Sequence, residues 1–161
     1  MSEGPARCGD SRLPEEPVSS RDAPDSGSVN DADTYQLYQR GLDLLGRGSA
    51  AAAAQLLARA ADAEPQSRSV LEALARAQFD AGQYQAAAGN FRRIVDASPS
   101  DDYAQFGLGL ALSRTGDHGA AAEHLALAAA MRPNLRHYTD ALRNVRATLR
   151  ARSALRESGT D

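Results

Sequence analysis

The chain has 161 residues, a length typical of one domain, and a formal net charge of -3 that provides no general attraction to nucleic acid. Hydrophobic residues make up 42% of the sequence but aromatic residues only 5%, and much of the remainder is alanine, which favours closely packed helices over a sheet. The single cysteine, Cys8, excludes an intramolecular disulfide framework. Since neither a secretory signal nor an apolar run of about 18 residues is visible, we expect a soluble, cytoplasmic protein without a membrane span.

The N-terminal segment, residues 1–30, is predicted to be a disordered acidic tail. It contains four prolines and scarcely any large apolar side chain, so it cannot bury enough apolar surface to offset the entropy of ordering it. Residues 1–33 carry eight acids and three arginines, a net charge of -5, whereas residues 132–161 carry three acids and seven arginines, a net charge of +4. Cys8, which lies in this tail, is interpreted as a bystander rather than a nucleophile.

After the tail, four sets of residues recur every 34 positions, and a period in this range is typical of repeat architectures. The sets are Pro65, Pro99 and Pro133; Gly48, Gly82 and Gly116; Ala53, Ala87 and Ala121; and Asp33, Ser67 and Asp101. The pattern predicts three helix–turn–helix units at residues 34–67, 68–101 and 102–135. Neither helix of a unit can bury its apolar face alone, so neighbouring units must stack.

Each unit follows the same plan: a first helix ends at a glycine, and a second helix ends before a proline. The glycine accepts a left-handed backbone at little steric cost and so allows a short turn. We expect small residues to let paired helices approach closely and larger residues to fill the space between units; these are Gly41, Ala75 and Gly109, and Leu57, Phe91 and Leu125. The expected N-caps are Ser49, Ser67, Asp101 and Asp117.

A single helix, residues 135–155, is predicted after Pro133, with Asn134 as its N-cap. Its apolar stripe consists of Tyr138, Leu142, Val145 and Leu149, and its basic face of Arg136, Arg143, Arg146 and Arg150. An amphipathic helix of this kind covers the exposed stacking face of a last repeat. Residues 157–161 are expected to fray.

The sequence resembles the tetratricopeptide repeat (TPR) family over about residues 33–135. The first-helix signature of that family, with bulky, leucine, small and bulky positions, reads Leu71, Leu74, Ala75 and Gln78 in the middle unit. Gln105 replaces the first bulky residue in the last unit, and Arg40 replaces leucine in the first. The resemblance implies an all-α fold, a right-handed α-solenoid of three helical hairpins plus a capping helix, whose first helices line a concave groove.

The residues offer no catalytic or metal-binding constellation. The spacings of His118, His124 and His137 do not place two imidazoles at i and i+4 on one helical face, and we interpret all three as exposed helix residues. Gly107 and Gly109 lack the Gly-Lys-Ser/Thr ending of a phosphate-binding loop. We therefore expect no enzyme activity, no cofactor and no metal.

The groove that the resemblance implies is unusually aromatic, since it would hold five of the eight aromatic residues. Its predicted side chains are Tyr35, Tyr38, Leu42, Glu72, Arg76, Phe79, Tyr103, Phe106, Leu110 and Arg114. We interpret it as a mainly apolar site for a partner's peptide or helix, with Glu72 and Arg76 as an i,i+4 charged pair. In the alternative interpretation, Tyr35 and Tyr103 only pack against neighbouring helices or the tail.

Other occupants and functions stay open at the level of sequence. Some family members clamp the C-terminal carboxylate of a peptide with lysine and asparagine, but that spacing is absent here, which argues against a chaperone-tail clamp. The acidic tail could occupy the groove itself. The sequence thus favours a non-enzymatic protein-binding adaptor. The alternative is a nucleic-acid-associated or acidic-partner-binding protein that acts through the arginine-rich last helix, and self-association through the first helix pair is also possible.

Overall fold

The computed structural model describes residues 27–159, and side chains from residue 31 onward. Most of the predicted tail, including Cys8, and residues 160–161 lie outside the described residues. The described part contains seven helices and no strand. They are α1 Gly27–Gly46, α2 Ala50–Ala63, α3 Arg68–Asp80, α4 Tyr84–Ala97, α5 Asp102–Thr115, α6 His118–Met131 and α7 Arg136–Ser158.

The helix boundaries repeat with the period of the sequence. The second helices begin at residues 50, 84 and 118 and end at residues 63, 97 and 131, two residues before each proline. The helices α3, α5 and α7 begin at residues 68, 102 and 136. Each helix packs mainly against its neighbours in the chain, which gives the helical repeat solenoid that the sequence predicts.

The turns inside the hairpins confirm the role expected of the glycines. Gly48, Gly82 and Gly116 have φ angles of 84°, 81° and 97°, and they are the glycines with left-handed φ among the described residues. In each turn the following N–H donates to a carbonyl five residues earlier, as from Ser49 to Leu44 at 2.9 Å. A side chain at these glycines would strain the backbone even though space is available.

Two other glycines allow paired helices to approach each other closely. A Cβ atom at Gly41 would lie 2.5 Å from Cγ of Leu57, and one at Gly109 would lie 2.6 Å from Cγ of Leu125. Both leucines are fully buried. The small residues thus let the paired helices approach closely, as expected, whereas Leu57 and Leu125, expected to fill the space between units, meet these glycines within their own hairpins.

Side-chain capping follows the prediction at three helices. Ser67, Asp101 and Asp117 accept hydrogen bonds from the N–H groups two or three residues into their helices. Ser49 occupies the N-cap position of α2 but makes no capping bond. Asn134 is not a cap, because α7 starts 34 residues after α5 and this spacing makes Leu135 the N-cap residue.

The two end helices are longer than the sequence indicates. Helix α1 begins at Gly27, within the segment assigned to the tail, and no proline between Pro24 and Pro65 would stop a helix there. Helix α7 continues to Ser158, beyond residue 155 and into the segment expected to fray. It buries Tyr138, Leu142 and Val145 against the third hairpin, whereas residues 151–159 are exposed.

Candidate functional site

An open cavity of about 260 Å³ lies between α3 and α5, with Phe91 of α4 beneath it. Its lining includes five of the ten residues predicted for the groove, together with three that the prediction omitted. The predicted five are Arg76, Phe79, Tyr103, Phe106 and Leu110, and the other three are Asp80, Phe91 and Gly107. The structure thus brings the aromatic residues of the second and third hairpins together around one concave site.

The floor of the cavity is formed where Phe91 meets Gly107. Phe91 is 2% exposed, and its ring makes an edge-to-face contact with Tyr103 at 6.2 Å between centroids. A Cβ atom at Gly107 would lie 2.4 Å from Cζ of Phe91. Gly107 therefore makes room for the Phe91 ring, a role that its place in the sequence repeat does not indicate.

One charged rim of the cavity comes from α3. Arg76 is exposed. Burial raises the pKa of Tyr103, and the positive charge of Arg76 partly offsets this rise, which means that the two side chains are close. The predicted ion pair of Glu72 with Arg76 is not found. Glu72 pairs with Arg68 at 2.8 Å, because Arg68 is fixed beside it by a 2.6 Å bond to Asp101.

That bond to Asp101 also connects successive hairpins. Burial raises the pKa of the Asp101 carboxyl, but the Arg68 guanidinium and the Ala104 N–H together hold it below its usual value. Asp101 therefore carries two roles, the N-cap of α5 and the partner of a cation at the start of α3. Only the capping role was evident from the sequence.

Arg114, another predicted groove residue, is held by aromatic side chains. It donates a 2.9 Å hydrogen bond to the Tyr84 hydroxyl, and its guanidinium lies 5.2 Å from the Tyr84 ring and 5.4 Å from the Phe79 ring. Phe79 and Tyr84 are themselves in edge contact at 5.0 Å. This cluster fixes the wall of the cavity that Phe79 provides.

The groove residues of the first hairpin do not line the cavity. Tyr35 is 57% exposed, while Tyr38 and Leu42 are half-buried. Burial, and then the charge of Glu72, raise the pKa of Tyr38, which shows that its hydroxyl faces α3. Tyr38 therefore packs between the first two hairpins, on the side of α3.

Phe106 also has two roles. Its ring stacks on Tyr138 of α7 at 4.5 Å and meets His137 edge-on at 5.3 Å. The Tyr138 hydroxyl donates a 2.8 Å bond to Asp102, and burial together with that carboxylate raises the pKa of Tyr138 well above its usual value. Phe106 thus joins the cavity to the capping helix.

The interpretation of the histidines as exposed was wrong for two of the three. His124 is half-buried and its Nδ1 lies 2.7 Å from Oε1 of Gln105, whose amide in turn donates to the Pro99 carbonyl at 3.0 Å. Burial and the nearby Arg92 lower the pKa of His124. His118 is half-buried too.

In the part of the chain that the structure describes, no group of three or more potential ligands could hold a metal, and no helix is long and apolar enough to cross a membrane.

The basic face of α7 borders a second, shallower cavity of about 360 Å³. Thr139, Leu142, Arg143, Arg146 and Arg150 line it, whereas Arg136 does not. Arg143 forms a 2.9 Å ion pair with Asp140 and remains 69% exposed. Three of the four predicted basic residues are therefore grouped along one groove.

Comparison with known proteins agrees with this architecture. The family model described as "Tetratricopeptide repeat" matches residues 38–102 and 72–135, which together make up more than half of the chain. No curated protein matches the sequence significantly.

Three solved structures illustrate the similarity of fold. The first TPR of Spaghetti (RPAP3) bound to the HSP90 peptide SRMEEVD is 19% identical, with a TM-score of 0.68 over 73% of this chain and 94% of that one. The Sgt2 TPR domain from Aspergillus fumigatus is 20% identical, with a TM-score of 0.68 over 75% and 82% of the two chains. MamA is 18% identical, with a TM-score of 0.69 over 79% and 74%.

Proposed function

Because the chain belongs to the tetratricopeptide repeat family, we propose that it is a non-catalytic adaptor whose cavity between α3 and α5 receives an apolar side chain from a peptide or helix of a partner protein. The observation that carries the proposal is the grouping of Phe79, Tyr103, Phe106 and Leu110 around one open, concave site. The adaptor acts in the cytoplasm, and its activity is binding alone.

The size of the cavity favours a peptide side chain over a small molecule. Small-molecule sites typically enclose about 300–1,000 Å³, whereas this open cavity measures about 260 Å³. It therefore suits one large apolar side chain of a longer ligand. The lining carries one cation, Arg76, and one anion, Asp80, so a carboxylate of the ligand is favoured on the Arg76 side of that apolar side chain.

The energetics require contacts beyond this anchor. Burial of one large apolar side chain contributes roughly 1.5–3 kcal/mol. Association costs at least about 4 kcal/mol in lost freedom of motion. A tight complex thus needs further groove contacts, and the exposed Tyr35 and half-buried Leu42 of α1 are the next available apolar surfaces along the first helices.

The proposed binding mode does not rely on a clamp for a C-terminal carboxylate. That TPR structure holds the HSP90 peptide SRMEEVD and supports peptide binding by this type of repeat. The present chain has no lysine, and its groove positions are largely aromatic or aliphatic. The proposed ligand is accordingly an apolar anchor with an adjacent acid, rather than a C-terminal carboxylate held by lysine and asparagine.

A selection from a phage-displayed peptide library tests the proposal. We expect peptides selected by the wild-type protein to share one large apolar residue beside an acidic one. The Leu110→Glu variant places a charge in the cavity and should weaken binding of a selected synthetic peptide by at least about tenfold, because an unpaired charge is buried on binding. Fluorescence polarisation measures the affinity. Leu110 is preferred to Phe106 for this substitution, because Phe106 also holds α7.

The matched control is Leu127→Glu, since Leu127 lies on α6, is 47% exposed and is remote from the cavity lining. This variant should bind the peptide as the wild type does. Equal binding by the Leu110→Glu variant, with circular dichroism showing an intact fold, would contradict the proposal. Failure to select any peptide with an apolar anchor would contradict it as well.

A further inference from the structure

Helix α7 carries a helix-pairing face that no other helix covers among residues 27–159. Since α7 begins 34 residues after α5, each α7 position has an equivalent in α5. Thr139, Arg143 and Arg146 correspond to Gln105, Gly109 and Leu112, and Arg150 corresponds to the left-handed Gly116. The α7 residues therefore occupy the positions that define a TPR-type hairpin in the third repeat.

In the complete hairpins, these positions contact the second helix of the same repeat. Gln105 is hydrogen-bonded to His124 of α6 at 2.7 Å. Gly109 lies against Leu125 of α6, so that a Cβ atom at this position would overlap the leucine side chain. In α3, Gln78 corresponds to Leu112 and accepts a 2.8 Å bond from Asn90 of α4. This face of a first helix is thus normally covered by its partner helix.

Within residues 27–159 no helix follows α7 to cover this face. What remains is the groove of about 360 Å³ lined by Thr139, Leu142, Arg143, Arg146 and Arg150, which we call the vacant pairing face. Leu142 is 9% exposed and supplies an apolar floor. The arginines supply positive charge, and one of them, Arg143, pairs with Asp140.

We propose that the vacant pairing face binds an acidic amphipathic helix of a partner protein, in the place that the second helix of a fourth hairpin would occupy. Charge complementarity specifies the carboxylates of this helix, because three arginines line the groove and, among the described residues, Asp140 is the acid with which they form an ion pair. The apolar floor specifies a leucine-sized residue on the same helical face.

Two features argue for this occupant over others. An arginine in place of Gly109 prevents the close backbone approach seen between α5 and α6, and an uncharged second helix would cover Arg146 and Arg150 without offering them a carboxylate. The groove lining contains no aromatic residue on which bases could stack, and the whole chain has a net charge of -3, which disfavours nucleic acid. The proposal does not depend on the cavity between α3 and α5.

The probe is a fluorescein-labelled, alanine-based helical peptide of about 18 residues, a length at which such helices are appreciably populated. Its glutamates are spaced to oppose the three arginines, and leucine lies between them; a second peptide carries glutamine at each glutamate. We expect the wild-type protein to bind the glutamate peptide at least about tenfold more tightly than the glutamine peptide, and less tightly as salt screens the charges.

Charge reversal provides the decisive variant. The R143E/R146E/R150E variant should bind the glutamate peptide at least about tenfold more weakly than the wild type. It should instead bind a version of the peptide that carries lysine in place of glutamate. The matched control is R40E/R59E/R92E, which changes the net charge equally at three exposed arginines outside α7 and should bind as the wild type does.

Several outcomes would overturn the proposal: no binding of the glutamate peptide at about millimolar concentration, equal loss in both triple variants, or no gain of lysine-peptide binding after charge reversal. Tighter binding of a duplex or single-stranded oligonucleotide than of the glutamate peptide, lost in R143E/R146E/R150E, would assign the face to nucleic acid instead. Concentration-dependent dimerisation abolished by the same variant would assign it to a second copy of the chain.

Discussion

Gly107 and Phe91 set the spacing between the second and third hairpins. Leu57 and Leu125, which stand 34 residues before and after Phe91, each meet a glycine of their own hairpin, whereas the Phe91 ring extends to Gly107 in the next hairpin. A phenylalanine is larger than these leucines, and the hydrogen side chain of Gly107 provides the additional space. The aromatic floor of the candidate site therefore depends on two residues that act as a pair.

The Gly107→Ala substitution is expected to destabilise the protein by about 1–3 kcal/mol, because the new methyl group overlaps a buried ring that has little room to move. This loss outweighs the gain of about 1 kcal/mol in helix propensity that alanine brings. Chemical denaturation followed by circular dichroism measures the free energy of unfolding.

Two further variants separate packing from propensity. Gly89→Ala lies in α4 with nothing within 4 Å of the new Cβ, and it should stabilise the protein by about 0.5–1 kcal/mol. Phe91→Leu should restore part of the stability lost in Gly107→Ala, because the shorter side chain lacks the ring atoms that the new methyl group would overlap. If the losses of unfolding free energy in Gly107→Ala and Phe91→Leu simply add in the double variant, residues 91 and 107 do not interact.

Helix α7 consists of two segments with different roles. Its first half buries Tyr138, Leu142 and Val145 and stacks against Phe106, so it covers the apolar end of the third hairpin. Its last turns, residues 151–159, are exposed and bury no side chain. The contribution of α7 to stability should therefore be confined to its N-terminal half.

Deletion of residues 136–161 is expected to expose Phe106 and the adjoining apolar surface and to cause aggregation, because an uncovered last repeat presents its stacking face to water. Size-exclusion chromatography with light scattering measures the association state. Deletion of residues 151–161 alone is the control and should leave the protein monomeric, with its melting temperature essentially unchanged. A 1–135 protein that stays monomeric and unfolds cooperatively would refute this account of α7.

At the scale of the whole molecule, stability is unevenly distributed along the stack. Thr34 and Gly41 are the buried residues of α1 among those described, whereas α5 has seven buried residues and lies between neighbours on both sides. In a solenoid each unit gains stability chiefly from adjacent units, so an end helix opens at lower free energy than a central one.

Hydrogen exchange should resolve this gradient. We expect the amides of α1 to exchange through local opening at a lower free energy than those of α3 and α5, whose exchange should require global unfolding. The central helices serve as the internal reference in the same experiment. Exchange of α1 at the same free energy as α5 would instead mean that the three hairpins unfold as one cooperative unit.

The repeat could be predicted from the sequence, because the residues that recur every 34 positions act on the local backbone. Glycine at positions 48, 82 and 116 allows a left-handed backbone, and proline at 65, 99 and 133 stops a helix, so the helix boundaries follow without knowledge of distant contacts. The basic face of α7 was predictable for the same reason, since it needs only helical spacing.

Tertiary structure alone decided which side chains meet. Five of the ten predicted groove residues line the cavity, while Arg114 is held by Tyr84, Glu72 pairs with Arg68, and Tyr38 packs against α3. These outcomes depend on contacts between residues 30 or more positions apart, namely Arg114 with Tyr84, Arg68 with Asp101 and Tyr38 with α3, whose geometry follows from the stacking of hairpins. The role of the vacant pairing face emerged in the same way, since a stripe of arginines becomes a groove only when its position is compared with α5 packed against α6.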